Sequence, residues 1–300
     1  MSLDVCPLAS GFGAEILGRD LRLKLSDSVF ADLVAAWKTY QVLLFRRQLV
    51  GDRALVEFAR RFGELDPAPV YDHEDRAIPD GFPEITVVSN VVENNRHLGA
   101  LGNGPETWHS NMTYKREPPV GCILHAWEVP DNTGFTWFSS LRAATAALPA
   151  ELRARVGRLQ SFHDGSYTSA GTLRHGYAPQ VDPDHSPGTR HPFLIRHPSW
   201  QEEVLLLGRR PNAAVIGLEQ SESDSLLEAL WTHATRAEFT FRHVWHQGDV
   251  LIWDNLLTLH RREGFAPSVR RTLHRAQILR LHPRLRAADS GYPTMATATR

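Results

Sequence analysis

Two histidines in this sequence have neighbours that make them candidates for binding a metal ion. His109 lies in the stretch PETWHSNMTY, and the polar position two residues later is Asn111. His260 ends the apolar run VLIWDNLLTLH and is followed by the strongly basic stretch RREGFAPSVRRTLHR. A single histidine is weak evidence for a ligand, so the hypothesis depends on both imidazoles binding one metal ion.

Two imidazoles and one carboxylate on one face of an octahedron form the ligand set of non-heme Fe(II) oxygenases. The three open positions take a bidentate co-substrate and O₂. A dicarboxylate co-substrate also needs an arginine for its distal carboxylate, because the planar guanidinium matches that group with two hydrogen bonds. The candidates are Arg270, Arg271 and Arg275, which follow the second histidine.

The elements that must position these residues can be read from apolar periodicity. Helical spacing is present in LSDSVFADLVAAWKTY, with Ser26 as its N-cap, and in ALVEFARRFGELD. A third helix is predicted in SESDSLLEALWTHAT, where Ser221 and Asp224 resemble a capping box. Short strands are predicted in QVLLF, EITVVSNV, GCILHAW, EVLLLG, FTFRHVW, DVLIWD and TLHRAQILRL.

These elements predict a β-rich α+β protein whose core is a jelly-roll-like double sheet with flanking helices. The stretch FTFRHVWHQGDVLIWDN is predicted to be a β-hairpin that turns at Gln247-Gly248. No composition break divides residues 1–300, so we expect one domain. The Gly-, Pro- and Asn-rich residues from about 71 to 107 are expected to form an active-site lid or insert.

Bulk properties narrow the class of protein. The chain has 42% hydrophobic and 22% charged residues and a formal net charge of −1, so nothing indicates binding to nucleic acid or to a membrane. Basic pairs such as Arg209-Arg210 are expected on solvated faces. The two cysteines, Cys6 and Cys122, and the absence of an export signal predict a cytoplasmic protein. A small-molecule substrate is expected, and a homo-oligomer is compatible with the sequence.

The chain resembles the taurine dioxygenase (TauD/TfdA) family of Fe(II)- and 2-oxoglutarate-dependent dioxygenases. The resemblance extends from GFGAEILGRDL through ARRFGELDPAPVY, TWHSNMTY and GDVLIWDN to RRTLHRAQI. The family's metal-binding Trp-His-x-Asp block falls on His109, and its second histidine ligand falls on His260. Thr136 lies 27 positions after His109, at the offset of the family's co-substrate threonine. Arg271 and Arg275 lie 11 and 15 positions after His260, at the offsets of two active-site arginines.

This resemblance implies a double-stranded β-helix with helices on its outer face. It also implies the cofactor Fe(II) and the co-substrates 2-oxoglutarate and O₂, with 2-oxoglutarate converted to succinate and CO₂ while a small molecule is oxidised. Thr136 and Arg271 would anchor the distal carboxylate of 2-oxoglutarate. Arg275 would hold its C1 end or an anionic substrate. Hydroxylation is the default outcome, and desaturation or cyclisation stays open.

The sequence departs from the family at the metal site. The carboxylate ligand is replaced by Asn111, so the ligand set His109, Asn111 and His260 lacks one negative charge. Fe(II) should then bind less tightly, because changes even around the metal ligands cost about 10–100-fold in affinity or activity. Glu106 and Asp254 are conceivable replacement ligands. Halogenating relatives have a small residue at this position, and Asn111 would fill much of the chloride slot.

Two rival functions follow from this departure. The first is a catalytically impaired relative that acts as a binding protein or as a partner subunit. The second is a zinc hydrolase built on two histidines and an acid, which would need an open water position and would leave Arg271 and Thr136 unexplained.

The substrate side departs from taurine dioxygenases as well. Ala68 stands where they use a histidine for the sulfonate, although Tyr71 is retained, and Gly104-Pro105 replace an acidic and an amide residue. Taurine is therefore not expected. Tyr71, Asn90 and Asn94 are candidate substrate contacts along with Arg275, although asparagines in such a segment more often cap turns.

Overall fold

Helix α1 begins where the sequence predicts, because Ser26 accepts a hydrogen bond from the main-chain N–H of Val29 at 3.4 Å. A computed structural model describes residues 3–68, 79, 81–174, 176–177, 185–209 and 212–285 of the chain. Within these residues the protein is β-rich α+β. The helices are α1 Asp27–Tyr40, α2 Asp52–Arg60, α3 Leu141–Ala146, α4 Ala150–Val156 and α5 Gln220–Ala234, with short 3₁₀ turns at Ala237–Phe239 and Pro283–Leu285.

The strands form several sheets. In chain order they are β1 Asp4–Pro7, β2 Ala14–Leu17, β3 Val42–Phe45, β4 Gly63–Asp66, β5 Thr86–Ser89, β6 Val92–Glu93, β7 Arg96–His97, β8 Ala100–Leu101, β9 Gly121–Glu128, β10 Thr136–Ser140, β11 Gln160–Asp164, β12 Gly188–Pro192, β13 Leu194–Arg196, β14 Glu203–Leu205, β15 Ala214–Val215, β16 Thr240–His243, β17 Val250–Asp254, β18 Thr258–Arg262 and β19 Thr272–Leu281.

The largest sheet has the order β1-β2-β3-β17-β9-β19-β5-β8, and β4 also pairs with β19. Its strands run antiparallel except for β2 with β3 and β5 with β8. A smaller sheet has the order β16-β10-β18. This smaller sheet matters for the site because β18 carries His260 and β10 carries Thr136. The remaining strands pair as β12-β11-β15, β13-β14 and β6-β7.

Apolar side chains cover both faces of the large sheet. On β17, Ile252 belongs to the core on the helix side, whereas Leu251 and Trp253 belong to a second cluster that also contains Phe138 of β10. Because side chains alternate along a strand, a strand covered on both faces is apolar at every position. The small sheet therefore packs on the face of the large sheet opposite the helices, and the site lies next to this contact.

The amphipathic stripes predicted for the first two helices are confirmed. Phe30, Leu33 and Trp37 of α1 and Phe58 of α2 are all buried in the core on the helix side. Phe62, just beyond α2, packs edge-to-face on three of these rings, at centroid distances of 4.8 Å from Phe30, 5.3 Å from Trp37 and 5.4 Å from Phe58. These helices therefore support the sheet from behind.

Two predictions from local sequence are wrong. The chain does turn at Gly248, but β16 pairs with β10 while β17 pairs with β3 and β9, so they form no hairpin. The turn instead carries the chain from the small sheet to the large one, and a local turn signal does not specify partners. Helix α5 begins after Glu219, without a side-chain cap, so the predicted capping box at Ser221 and Asp224 lies inside its first turns.

The predicted lid segment contains regular structure in the part that is described. Residues 71–78 and 80 lie outside the described residues. Strand β5 pairs with β19 inside the large sheet, and β6 and β7 form a two-residue hairpin. Among the helices of the described ranges, none is long and apolar enough to cross a membrane.

Candidate metal and co-substrate site

His109 and His260 are held side by side by their main chains. Each N–H donates to the carbonyl oxygen of the other residue at 2.9 Å. The two imidazole centroids are 4.2 Å apart with an interplanar angle of 46°. Both side chains are buried. The sequence pairing of these two histidines is therefore matched by a geometry in which both can face one ion.

Both imidazoles are held in the neutral form that binds metals. Burial lowers the pKa of His109 and takes that of His260 well below its usual value. The carbonyl oxygen of Thr107 lies 2.8 Å from His109 Nδ1, which fixes the proton on Nδ1 and leaves the lone pair on Nε2. His260 Nδ1 is buried and has no hydrogen-bond partner among the residues described.

Asn111 has a fixed main chain and an unpaired side-chain nitrogen. Asn255 accepts from the main-chain N–H of Asn111 at 2.7 Å and donates to its carbonyl oxygen at 3.0 Å. The buried Nδ2 of Asn111 finds no hydrogen-bond partner in the described ranges. A buried unpaired polar group is costly in a site without a ligand, so Asn111 fits a position that contacts a bound group.

Glu106 places a carboxylate beside His109. Its Oε2 lies 3.9 Å from His109 Nε2, and its Oε1 lies 3.5 Å from Arg262 Nη1. The side chain is only 9% exposed. Burial raises the pKa of Glu106, but nearby positive charges outweigh burial and hold this pKa below its usual value. These charges, largest first, belong to Arg262, Arg271 and Arg275.

Asp254, the other replacement carboxylate considered from sequence, is used elsewhere. It accepts from Trp200 Nε1 at 2.7 Å and lies 3.2 Å from His197 Nε2. Its Oδ1 also accepts from the main-chain N–H groups of Leu256 and Leu257. Asp254 therefore organises the turn between β17 and β18.

Two of the three protein ligands that a divalent metal ion needs here are in place, and the third is not yet in position. Within the described part of the chain, no group of three or more His, Cys, Asp and Glu side chains could hold a metal ion as it stands. His109 and His260 are two neutral nitrogen donors. The third donor must come from the Asn111 amide or from a small movement of Glu106.

Arg271 has the surroundings expected of a residue that binds an anion. It is buried, its Nε has no hydrogen-bond partner within the described ranges, and burial lowers its pKa to about 9. Its guanidinium carbon lies 6.0 Å from the Trp245 ring and 5.8 Å from the Phe265 ring. The neighbouring Arg270 differs, because it is exposed and pairs with Glu93 and Glu128.

The structure brings Thr136 to the same place. Trp245 Nε1 donates to Thr136 Oγ1 at 2.9 Å, so one tryptophan contacts both Thr136 and Arg271. A Cβ on Gly134 would lie 3.2 Å from the Cδ and Nε of Arg271, which shows how closely this turn approaches the guanidinium. Residues 133–136, with the sequence TGFT, therefore form one wall around Arg271.

An open cleft lies beside His109. Its lining residues are Leu101, His109, Ser110, Asn111, Met112, Thr113, Tyr114, Thr168, Ser169, Arg174, Arg209 and Arg275. Three of these are arginines, so the cleft is suited to an anion. Tyr114 Oη accepts from Arg174 Nη1 at 2.9 Å and fixes one of the three.

Arg174 was not among the residues predicted for the site, and Arg209 was expected in a solvated basic pair. Arg209 in fact lines the cleft, and burial lowers its pKa to about 10. It donates to the carbonyl oxygens of Thr168 and Asp164. A signal was present, because Arg209 directly follows the apolar run EVLLLG, and residues at the end of a buried strand are often placed at a site.

The candidate substrate residues before the histidine block have different surroundings. Asn90 donates to the carbonyl oxygen of Val269 at 2.7 Å and accepts from the main-chain N–H of Arg271 at 3.0 Å, so it braces that arginine. Asn94 is exposed, with a φ of 50°, in the turn between β6 and β7. Tyr71 lies outside the described residues.

Comparison with known proteins matches residues 4–277 to the model of the family described as taurine catabolism dioxygenase TauD, TfdA family. A (S)-phenoxypropionate/alpha-ketoglutarate-dioxygenase from Sphingobium herbicidovorans is 32% identical over 92% of this chain and 95% of its own. An alpha-ketoglutarate-dependent 2,4-dichlorophenoxyacetate dioxygenase from Cupriavidus pinatubonensis is 30% identical over 93% of this chain and 98% of its own.

Solved structures agree with this match. A taurine dioxygenase from Burkholderia xenovorans superposes with a TM-score of 0.74 at 31% identity, covering 95% of both chains. AAD-2, in complex with Mn(II) and N-oxalylglycine, superposes with a TM-score of 0.75 at 27% identity, covering 94% of this chain and 99% of its own.

Proposed function

The chain belongs to the taurine catabolism dioxygenase TauD/TfdA family, and from this we propose that it oxidises a small anionic molecule other than taurine. As an Fe(II)- and 2-oxoglutarate-dependent dioxygenase it uses O₂ to convert 2-oxoglutarate to succinate and CO₂. One oxygen atom of O₂ enters succinate and the other goes to the substrate. The observation that carries the proposal is the backbone pairing that sets the His109 and His260 rings 4.2 Å apart beside an arginine-lined cleft.

The facing sheets are the basis of the fold that we propose, a double-stranded β-helix. The large sheet supplies β19 with Arg275, and the small sheet supplies β10 with Thr136 and β18 with His260. The co-substrate would then lie where the open ends of the two sheets meet. The helices would lie on the outer face of the large sheet.

Each residue of the chain has a defined task in this proposal. His109 and His260 hold Fe(II), and Asn111 lies at the position of the family's carboxylate ligand. The bound iron supplies the activation of O₂. Arg271 and Thr136 bind the distal carboxylate of 2-oxoglutarate, because a buried guanidinium with an unpaired Nε gains most from a bidentate anion.

The cleft supports an anionic primary substrate. Arg174, Arg209 and Arg275 all line it, and no Asp or Glu is among the described residues that line it. Three fixed cations in a partly closed cleft favour a carboxylate or sulfate group over a neutral one. The relatives named for phenoxypropionate and dichlorophenoxyacetate act on carboxylates, which supports this class. A role in secondary metabolism and a cytoplasmic location complete the proposal.

Asn111 is the observation that favours a second candidate, a relative that binds its ligand but turns over poorly. A neutral amide in place of a carboxylate ligand weakens metal binding, and such changes are costly. This candidate predicts ligand binding without consumption of 2-oxoglutarate.

A substrate screen tests the proposal. The iron-loaded protein with 2-oxoglutarate and O₂ would be given aryloxy carboxylates, alkyl sulfates and their neutral amide or alcohol analogues. We expect succinate formation to rise with an anionic compound and to match the oxidised product in amount. Arg174→Gln should lower kcat/KM for that compound by about 10–100-fold, as the loss of a charged hydrogen bond predicts. A preference for the neutral analogues would contradict the anionic substrate, and no turnover with any compound would favour the second candidate.

A further inference from the structure

The metal position is surrounded by an excess of positive charge. The ligands assigned from sequence, namely His109, Asn111 and His260, are all neutral. Arg262, Arg271 and Arg275 are all buried. Arg275 lines the same cleft as His109 and Asn111, and Arg262 Nη1 lies 3.5 Å from Glu106 Oε1. A divalent cation among three arginines needs an anion, because unlike charges in a buried site attract strongly and like charges repel.

Glu106 is the acidic side chain that the described part of the chain brings to this position. It belongs to the same segment as His109, and both residues are clamped to β18. The Glu106 N–H donates to the Arg262 carbonyl oxygen at 2.9 Å, and His109 exchanges two hydrogen bonds of 2.9 Å with His260. Two clamps on one strand fix the direction of the segment from Glu106 to His109.

The distances suit a ligand that closes on the metal when the metal binds. Bonds of about 2.1 Å at right angles place a nitrogen and an oxygen donor about 3 Å apart. Glu106 Oε2 is now 3.9 Å from His109 Nε2. A shift of about 1 Å by a flexible side chain therefore brings Oε2 to the distance from Nε2 that two ligands of one metal ion have.

We propose that Glu106 supplies the carboxylate ligand of the metal centre, so that the iron is held by Glu106, His109 and His260. The inference rests on the proposed function. It assigns the negative charge to a residue three positions before the first histidine, instead of two positions after it. Asn111 then remains beside the metal as a neutral group whose Nδ2 is free to donate to a bound oxygen.

Metal affinity without turnover provides the test. Mn(II) binding to the full-length apoprotein, followed by the electron paramagnetic resonance signal of the free ion, would be compared for the wild type and five variants. These are Glu106→Gln, Glu106→Asp, Asn111→Asp, the double variant Glu106→Gln/Asn111→Asp, and Glu117→Gln, which removes a surface carboxylate paired with Arg280. The thermal melting curve of each apoprotein checks its folding.

The expected pattern is specific to ligation. Glu106→Gln should weaken Mn(II) binding by about 100-fold or more, since a residue that binds the metal directly is lost. Glu106→Asp should weaken it by at least about tenfold, because the charge remains but the shorter side chain cannot reach the metal. In the double variant Asn111→Asp should restore affinity to within about tenfold of the wild type, whereas Asn111→Asp alone should change it much less. Glu117→Gln should behave like the wild type.

The contradicting outcomes are distinct. If Glu106→Gln binds Mn(II) like Glu117→Gln, Glu106 is not a ligand and the inference is overturned while the proposed function stands. If Glu106→Asp keeps wild-type affinity, the carboxylate acts only through its charge and ligation is again overturned. Should Glu106→Gln not fold, a gain of about 100-fold or more from Asn111→Asp alone would show that the wild type lacks a carboxylate ligand. Absence of binding by the wild type itself would instead overturn the proposed function.

Discussion

The side chain of Asn255 holds the main chain of Asn111 from both sides, with hydrogen bonds of 2.7 Å to its N–H and 3.0 Å to its carbonyl oxygen. It also donates to the carbonyl oxygen of Pro119 at 2.8 Å. Asn255 is fully buried at the turn between β17 and β18. One side chain thus ties the segment after His109 to the turn that leads to His260.

Asn255→Ala should therefore destabilise the protein strongly. Three buried main-chain groups would lose their partner, and each unsatisfied group costs about 1–3 kcal/mol. We expect the free energy of unfolding to fall by about 3–6 kcal/mol in urea denaturation of the apoprotein. Asn103→Ala is the control, because within the described residues the Asn103 side chain makes one hydrogen bond, donating to the carbonyl oxygen of Phe265 at 3.0 Å. Equal losses in the two variants would contradict the bracing role.

Arg271 and Arg270 provide a test with adjacent residues of the same type. Arg271→Gln should weaken 2-oxoglutarate binding by about 100-fold or more, because two charge-assisted hydrogen bonds of about 1.5–3 kcal/mol each are lost. Arg270→Gln should change it by less than about threefold, since Arg270 forms exposed ion pairs with Glu93 and Glu128. The dissociation constant of 2-oxoglutarate for the metal-loaded protein is the measurement. Similar constants for both variants would exclude Arg271 as the anchor.

Gly134 should be sensitive to the smallest substitution. Its φ of +63° is unfavourable for other residues, and an added Cβ would lie 3.2 Å from Arg271 Cδ and Nε. Gly134→Ala should cost about 1 kcal/mol of stability and displace Arg271, so that 2-oxoglutarate binds about 3–10-fold more weakly. Gly171→Ala is the control for backbone strain alone, because its φ is +79° and nothing lies within 4 Å. If the two variants bind 2-oxoglutarate equally well, the close packing of Gly134 on Arg271 does not position the arginine.

Acid should destabilise the fold through buried neutral histidines. Burial, helped by the positive charges of His191 and Arg209, takes the pKa of His163 well below its ordinary value. In the unfolded state the imidazole therefore binds a proton near its ordinary pKa of 6.5, whereas in the folded state it does not. Stability is full above that pH and falls below it, by up to about 1.4 kcal/mol per pH unit for this residue.

His163→Phe removes this titration and should flatten the loss of urea stability between pH 6.5 and pH 5. The comparison uses slopes against pH, so any constant loss from breaking the 2.7 Å contact between His163 and Ser161 cancels. Identical slopes for the variant and the wild type would show that His163 titrates alike in both states.

The sequence was sufficient for features that depend on local periodicity or on a fixed spacing. The α1 stripe and its Ser26 cap follow from adjacent residues, and the structure confirms both. His109 and His260 could be paired only because family spacing linked two distant blocks. The hairpin at Gln247-Gly248 failed because a turn signal does not say which sheet each strand joins.

Site residues that are placed by tertiary structure, and belong to no sequence motif, were the hardest to predict. Arg209 looked like half of a surface pair, but in the fold its main chain bridges to His109 and the residue lines the cleft. Glu106 and Asp254 were equal candidates in the sequence. The hydrogen bonds of Asp254 to His197 and Trp200 separate them, and such tertiary contacts leave no mark in a single sequence.

Anaerobic titration of the wild-type apoprotein with Fe(II) and 2-oxoglutarate tests the central claim most directly. The account predicts a visible metal-to-ligand charge-transfer band that saturates with both components and is absent in His109→Ala and His260→Ala. Admission of air should then yield succinate. Neither band nor succinate from the folded wild-type protein would contradict the assignment of an Fe(II)- and 2-oxoglutarate-dependent oxygenase.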